Sequence, residues 1–251
     1  NMGDFRFSGT QYYYVNYSEG IYVGYRYYET RYEDMLLDRI NVGDYRYGDT
    51  VIYPFGYGLS YTKFEWSDFT MSAPDSKGNI NISLKVTNVG DRRGKDVVQI
   101  YGQAPYLGTV EKSSVVLIGF AKTDYIDASK SETVKITINL KDLASYDVKA
   151  NGGKGGYVLD VGNYYIAAAS NAHEAINTIV RERVIREGLN INENRWVEGK
   201  QDDSSISEGT KAIGVHFQDK YDSTSYSYAG EGLQKIENQF TDATLDGAVY
   251  L

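Results

Sequence analysis

The chain has 251 residues, 41% hydrophobic and 24% charged, which is the composition of a globular protein long enough to bury a core. The absence of cysteine excludes disulfides, thiolate metal sites and cysteine nucleophiles, and a formal net charge of −8 argues against a nucleic-acid groove that neutralises phosphates. No run of about 18 apolar residues is present, so the sequence contains no candidate membrane-spanning helix.

The first segment, residues 1–62, is dominated by tyrosine: 14 of the 25 tyrosines lie between Tyr12 and Tyr61. Glycines are interspersed with aromatic residues at 19–29 and again at 53–61, and such glycines allow close backbone approach or a positive φ. Between these motifs, charges of both signs from Arg31 to Arg46 predict a surface excursion rather than a core element. The segment has little amphipathic periodicity, so we expect it to pack on a larger domain.

Residues 63–187 have the pattern of an antiparallel β-sandwich. Residues 80–88 and 133–140 alternate apolar and polar side chains with the period of a half-buried strand. Further strands are predicted, between turn residues, at 97–101, 115–120, 157–161 and 164–169. Residues 174–185 are a candidate last strand, although Ala175, Ile176, Ile179 and Val180 also fit a helical stripe.

The last segment, residues 188–251, loses this pattern and is acidic. From Asn190 onward it carries 11 acidic and 5 basic residues, and residues 202–209 are typical of a loop. Short strands are predicted at 215–217 and 247–251. The chain ends on apolar residues, which is the ending that we expect where a longer polypeptide has been cut.

Two motifs resemble the end of the α/β sandwich domain of glycoside hydrolase family 3 β-glucosidases. They are Glu-Gly-Ile-Tyr-Val-Gly-Tyr-Arg-Tyr-Tyr at 19–28 and Tyr-Pro-Phe-Gly-Tyr-Gly-Leu-Ser-Tyr-Thr at 53–62, the second being a specific signature. Residues 86–90, 94–101, 117–120 and 161–165 resemble strands of the family's fibronectin type III-like domain. We assign the motif residues a structural role: Gly20, Gly24, Tyr25, Arg26, Pro54, Phe55, Gly56 and Gly58.

The resemblance implies a mainly β fold with three parts. Residues 1–62 would be the C-terminal portion of an α/β sandwich domain, residues 63–187 a fibronectin type III-like sandwich of the immunoglobulin-like kind, and residues 188–251 an acidic linker toward a (β/α)8 barrel. Residues 171–177 and the continuation to Tyr250 resemble the subgroup with permuted domain order, in which the barrel comes last. That subgroup and the lack of a visible signal peptide imply a cytoplasmic location, with secretion left open.

Family 3 enzymes are retaining glycosidases that use two carboxylates about 5 Å apart. In the family the nucleophile is an Asp on the barrel and the acid/base is a Glu early in the α/β sandwich domain, and this sequence matches neither region. Glu19 and Glu29 lie in the terminal motif, so we assign no catalytic residue here and expect the chain alone to be inactive. No cofactor is implied, and His173 and His216 lack the spacing of a metal site.

The resemblance makes the chain a fragment of a β-glucosidase that supplies structural and domain-arranging parts. Phe55 and Tyr57 could border the sugar-binding cleft formed with the barrel, while the favoured interpretation is that Phe55, Tyr57 and Leu59 anchor the α/β domain to the sandwich. We expect Arg26 to have a carboxylate or carbonyl partner in the same interface. The alternative function is an independent binding module for polysaccharide or protein. A row of exposed aromatic side chains on one sheet face would favour that alternative, and the strand pattern shows no such row.

Overall fold

The structure is a computed structural model that describes residues 2–7, 10–15, 20–39, 42–106, 108, 110–150, 154–160, 162–197 and 213–217. The α-helices there are α1 (Tyr25–Leu36), α2 (Tyr47–Thr50) and α3 (Ala172–Glu187). The strands are β1 (Met2–Phe7), β2 (Thr10–Val15), β3 (Phe64–Met71), β4 (Asn79–Asn88), β5 (Val97–Gln103), β6 (Val116–Lys122), β7 (Ser131–Asn139), β8 (Ser145–Asp147), β9 (Gly156–Val158), β10 (Tyr164–Ala169) and β11 (Ile213–Phe217).

Two antiparallel sheets form the centre of the described structure. One has the strand order β3-β4-β7 and the other β11-β10-β5-β6, while β1 pairs with β2 and β8 with β9. The expected mainly β sandwich is confirmed, and the strand predicted at 215–217 is β11, which pairs with β10. β3 escaped prediction because its pairing with β4 shifts register between Ser67 and Thr70, and this bulge interrupts the alternation of side chains.

The first core fills the space between the two sheets. β4 supplies Ile80, Ile82, Leu84 and Val86, each at most 1% exposed, while the residues between them face outward. The pairing of β4 with β7 places Leu84 opposite Val134, so apolar side chains from both strands share one face. A period of two residues therefore directs every second side chain inward, as the sequence predicts.

The second core covers the opposite face of the four-stranded sheet. All six residues of β10 are buried, because Tyr164, Ile166 and Ala168 join the first core while the alternate residues join the second. The small side chains of Ala167 and Ala169 on this second face belong to the same cluster as the buried side of α3. A strand covered on both faces thus appears in the sequence as an uninterrupted apolar run.

α3 shows that the strand expected at 174–185 was wrong and that the helical alternative is correct. The side chain of Asn171 accepts a hydrogen bond from the backbone N–H of Glu174 at 2.9 Å, which caps the start of the helix. Gly188 follows its last residue with φ 65°, the left-handed conformation that ends helices. The stripe that includes Ile176 and Ile179 is fully buried against β10, so helical periodicity decided the structure.

α1 overturns the expectation of a surface excursion between Arg31 and Arg46. Tyr32, Met35 and Leu36 are buried in the second core beside α3, and the charged Glu33 is also buried. The prediction from charge was wrong because acidic residues on a helix can be buried where ion pairs and hydrogen bonds satisfy them. None of the helices in the described residues combines the length and apolar character that crossing a bilayer requires.

The acidic last segment is described only in part. Beyond Glu187 the structure covers residues up to Val197 and the backbone of β11. The loop expected at 202–209 and the strand expected at 247–251 lie outside the described residues.

Candidate functional site

The backbone of the signature at 53–61 is fixed to the sandwich by hydrogen bonds. The carbonyl of Phe55 accepts the N–H of Ala172 at 2.9 Å, at the start of α3. The carbonyl of Gly56 accepts from Nε2 of Gln99 on β5 at 3.0 Å. Gly56 has φ 88°, and a Cβ there would lie 2.2 Å from Oε1 of Gln99, so both the backbone conformation and the close approach require glycine.

The side chains of the signature divide into a buried part and an exposed part. Pro54 is buried, while Phe55 is 45% exposed and its ring stacks on Tyr25 with centroids 4.3 Å apart. In contrast, Tyr53 is 70% exposed, Leu59 72% and Tyr61 93%. The Phe55–Tyr25 stacking and the backbone hydrogen bonds are consistent with the expected anchoring, whereas the exposure of Leu59 gives no support to an anchoring role for that residue. The anchoring itself stays a prediction.

We call the exposed part of this segment the apolar patch; it consists of Ile52, Tyr53, Leu59 and Tyr61, all at least 70% exposed. The half-buried ring of Tyr57 lies 5.1 Å from that of Tyr53, which positions Tyr53 at the edge of the patch. Four large apolar side chains within ten residues are an unusual concentration for a free surface. The hydrogen-bonded backbone of Phe55 and Gly56 thus lies, along the chain, between the two exposed halves of the apolar patch.

The first motif, at 19–28, contacts the signature at 53–61 through Tyr25. Gly20 and Gly24 have φ values of 56° and 59°, which glycine adopts without strain and which turn the chain into α1. The hydroxyl of Tyr25 accepts the N–H of Leu117 at 3.0 Å, so this ring is fixed to β6 while its face carries Phe55. The Arg26 side chain is half-buried, and the partner expected for it is not found among the described residues.

Gly58 differs from the other motif glycines. Its φ is not in the left-handed region, and a Cβ at this position would meet no atom within 4 Å. In the described part of the chain no neighbouring atom requires a glycine at this position, in contrast to Gly56, so its assigned structural role has no local support.

Glu29 belongs to a buried polar network beneath the motif. It is 1% exposed, and its two oxygens contact the Tyr47 hydroxyl at 2.6 Å and Nδ1 of His173 at 2.9 Å. Burial, and then the Glu29 carboxylate, raises the pKa of Tyr47 above its ordinary value, so its hydroxyl stays a donor. Nε2 of His173 lies 2.8 Å from the carbonyl of Val197, which can only accept. Glu29 and His173 are thus structural groups that join α1, α2, α3 and the segment around Val197.

The sequence alone did not indicate that Glu29, Tyr47 and His173 meet in the folded chain. The three aromatic rings of the network pack closely, with His173 4.0 Å from Tyr47 and 4.5 Å from Tyr32 between centroids. The Tyr32 hydroxyl also donates to Oδ1 of Asn177 at 2.8 Å. Only the position of His173 and Asn177 one helical turn apart, on a stripe of apolar residues, could have indicated a buried polar contact. Glu19 lies outside the described residues, and of His216 only the backbone in β11 is described.

Comparison with known proteins identifies the sandwich. Residues 96–172 match the family model for a fibronectin type III-like domain. The chain is 37% identical over 174 residues to beta-glucosidase A of Butyrivibrio fibrisolvens, covering 64% of this chain and 19% of that protein. It is 36% identical over 137 residues to thermostable beta-glucosidase B of Acetivibrio thermocellus, covering 54% of this chain and 16% of that protein.

Solved structures agree with this relationship. A β-glucosidase from Paenibacillus barengoltzii superposes with a TM-score of 0.51 at 28% identity, covering 82% of this chain and 18% of that one. A β-glucosidase from Kluyveromyces marxianus, solved in complex with glucose, gives 0.50 at 26% identity with the same coverage of both chains. The chain spans less than a fifth of the length of these relatives. Over about 62% of its length the chain is therefore similar to glycoside hydrolase family 3 β-glucosidases, and residues 96–172 match a fibronectin type III-like domain.

Proposed function

We propose that this chain is a structural part of a retaining β-glucosidase, which removes terminal β-linked glucose, and that it arranges the domains of that enzyme without supplying catalytic carboxylates. The apolar patch carries this proposal, because its four side chains are exposed while the adjoining backbone of Phe55 and Gly56 is hydrogen-bonded to the sandwich. Relatives that are named β-glucosidases, in which the matched segment makes up 19% and 16% of the length, support it.

The partners in this proposal are the remaining domains of the parent enzyme, an α/β sandwich domain and a (β/α)8 barrel. Residues 1–62 would complete the α/β domain, residues 63–187 form the fibronectin type III-like domain, and residues 188–251 would lead toward the barrel. In the whole enzyme, Phe55 and Tyr57 would then lie near the border of the substrate cleft. The stacking of Phe55 on Tyr25 holds it in place for such a role.

The outer face of the three-stranded sheet gives no support to the alternative of an independent binding module. Its exposed positions on β4 and β7 include Asn81, Lys85, Lys135 and Thr137, which are polar. Flat polysaccharide surfaces are generally bound by exposed aromatic rings, which these two strands do not present on that face.

Association with the rest of the parent enzyme tests the proposal. The chain is co-expressed with the remainder of the parent polypeptide, co-purified through a tag on the chain, and assayed on an aryl β-glucoside. We expect a complex with turnover, and we expect the double variant Leu59→Ser, Tyr61→Ser to lose most of the complex. The matched control Tyr125→Ser changes another exposed tyrosine, 59% exposed on the sandwich, and should leave the complex intact. Equal recovery of the double variant and the wild type would contradict docking through the apolar patch.

A further inference from the structure

A polar cleft of about 390 Å³ is lined by none of the residues of the apolar patch. It is bounded by α1, the end of β5, the connection between β5 and β6, and the C-terminal half of α3. Neither Phe55 nor Tyr57 lines it. Its volume falls within the range of about 300–1,000 Å³ that is usual for small-molecule sites.

Polar side chains that are almost completely buried line this cleft. Glu33, Gln103, Lys112 and Ser114 are each less than 10% exposed. Gln103 donates from Nε2 to the carbonyl of Ser114 at 2.8 Å, and the hydroxyl of Ser114 donates to Glu33. Buried polar groups are costly unless they are hydrogen-bonded, so the walls of the cleft are held in place by their own network.

Several donors in this network remain unused. Nζ of Lys112 donates to the carbonyl of Pro105 at 2.8 Å and to Asp160, which accounts for two of its three N–H groups. Nη1 of Arg183 contacts Glu33 and lies 3.0 Å from Oε1 of Gln103. Among the described residues, no acceptor meets the third N–H of Lys112 or the N–H groups on Nη2 of Arg183. The Lys112 side chain is only 5% exposed, so a molecule in the cleft is the natural acceptor.

The charges of the cleft disfavour an ionic ligand. Arg183 is paired with both Glu33 and Glu187, and Arg39 lies 3.2 Å from Asp34. A strongly charged ligand would have to displace one of these pairs, at the cost of leaving a buried charge without its partner. A hydroxyl group both donates and accepts, so a neutral ligand that is rich in hydroxyls can satisfy the unused donors and the carboxylates at once.

Tyr22 and Tyr106 form the lip of the cleft. Their hydroxyls both contact Glu111, that of Tyr106 at 3.2 Å. Burial, and then the hydrogen bond to Glu111, raises the pKa of Tyr22 above its ordinary value, so its hydroxyl remains protonated. Tyr106 is 46% exposed, which leaves its ring available to pack on the C–H face of a bound molecule.

We propose that this cleft binds a neutral, hydroxyl-rich small molecule of the size of a monosaccharide or polyol. The inference rests on the described residues alone and holds whether or not the chain serves in a glycosidase. A small polar ligand of this kind reaches a Kd on the order of 1 mM.

Isothermal titration calorimetry on the full chain tests the proposal with D-glucose, glycerol and inorganic phosphate as probes. We expect saturable binding of glucose or of glycerol, the two arms separating a ring sugar from a short polyol, and no binding of phosphate. Tyr106→Ala and Glu111→Gln should each weaken binding by about tenfold. Tyr125→Ala, which removes an exposed tyrosine that does not line the cleft, should bind like the wild type.

Each other outcome overturns the proposal. Phosphate that binds or competes would show an ionic site, and binding that both lip variants retain would place the ligand elsewhere. The absence of saturable heat with either hydroxylated probe would show that the cleft is only a packing defect. Circular dichroism spectra of the lip variants that match the wild type ensure that a loss of binding is not a loss of folding.

Discussion

The replacement of Glu29 by alanine is the most informative perturbation of the buried network. The change removes the partner of the Tyr47 hydroxyl and of His173 Nδ1, and His173 is fully buried. Removing one member of a buried pair costs about 3–5 kcal/mol, because the remaining groups lose water without gaining a partner. For a protein of this size we expect the melting temperature to fall by about 6–20 °C.

The conservative variant Glu29→Gln separates the hydrogen bonds from the charge. The amide oxygen can accept from Tyr47, and the amide N–H can donate to Nδ1 of a neutral His173 whose Nε2 still donates to Val197. Since every buried group keeps a partner, we expect a loss of less than about 1.5 kcal/mol.

Urea unfolding followed by far-ultraviolet circular dichroism measures these losses. Asp49→Ala is the control, because Asp49 is exposed in the neighbouring α2 and should change stability by less than about 0.5 kcal/mol. A Glu29→Ala variant as stable as Asp49→Ala would refute the idea that this network fixes α1 to the sandwich.

Three further predictions concern the signature, α3 and the core. Gly56→Ala should lower the free energy of unfolding in urea by about 1–3 kcal/mol because Gly56 has a positive φ, while Gly58→Ala should leave it unchanged. Equal effects of the two substitutions would show that the close approach at Gly56 is unimportant. Burial alone would raise the pKa of Glu187, but its hydrogen bonds and ion pair hold it below the ordinary value of 4.5. The ionised Glu187 therefore stabilises the fold at neutral pH, and this stabilisation is lost as the pH falls below about 4.5. The difference in unfolding free energy between wild type and Glu187→Gln should accordingly disappear on acidification. A difference that stays constant with pH would contradict the ion pair. Leu84→Ala should cost about 2–5 kcal/mol and the exposed Lys85→Ala almost nothing, and similar costs for both would contradict the assigned faces of β4.

The sandwich was largely predictable because its strands use a simple period. β4 and β7 alternate strictly, and their register follows from the apolar face that they share. α3 was ambiguous for a physical reason: its buried stripe is short and adjoins the apolar run of β10, so strand and helix patterns overlap there. The cap at Asn171 and the glycine at 188 were the signals that would have decided for a helix.

The candidate site was predictable in its motif and not in its geometry. The signature indicated that glycines and aromatics at 53–61 have a packing role, but only the fold shows that Gln99 and Ala172 hold their backbone. The burial of Glu29 and Glu33 depends on partners that lie more than 80 residues away in the chain, such as His173 and Arg183. No local pattern encodes such a pairing, which is why the charged helix was mistaken for a surface element.

We propose that this chain arranges the domains of a β-glucosidase without supplying its catalytic carboxylates. A retaining glycosidase forms a covalent glycosyl intermediate on its nucleophile, which a 2-deoxy-2-fluoroglucoside traps. The most direct measurement is the intact mass of both polypeptides after the co-purified complex has reacted with this reagent. We expect a glycosyl adduct on the partner polypeptide and an unchanged mass for this chain. A glycosyl adduct on this chain would show that it supplies the nucleophile.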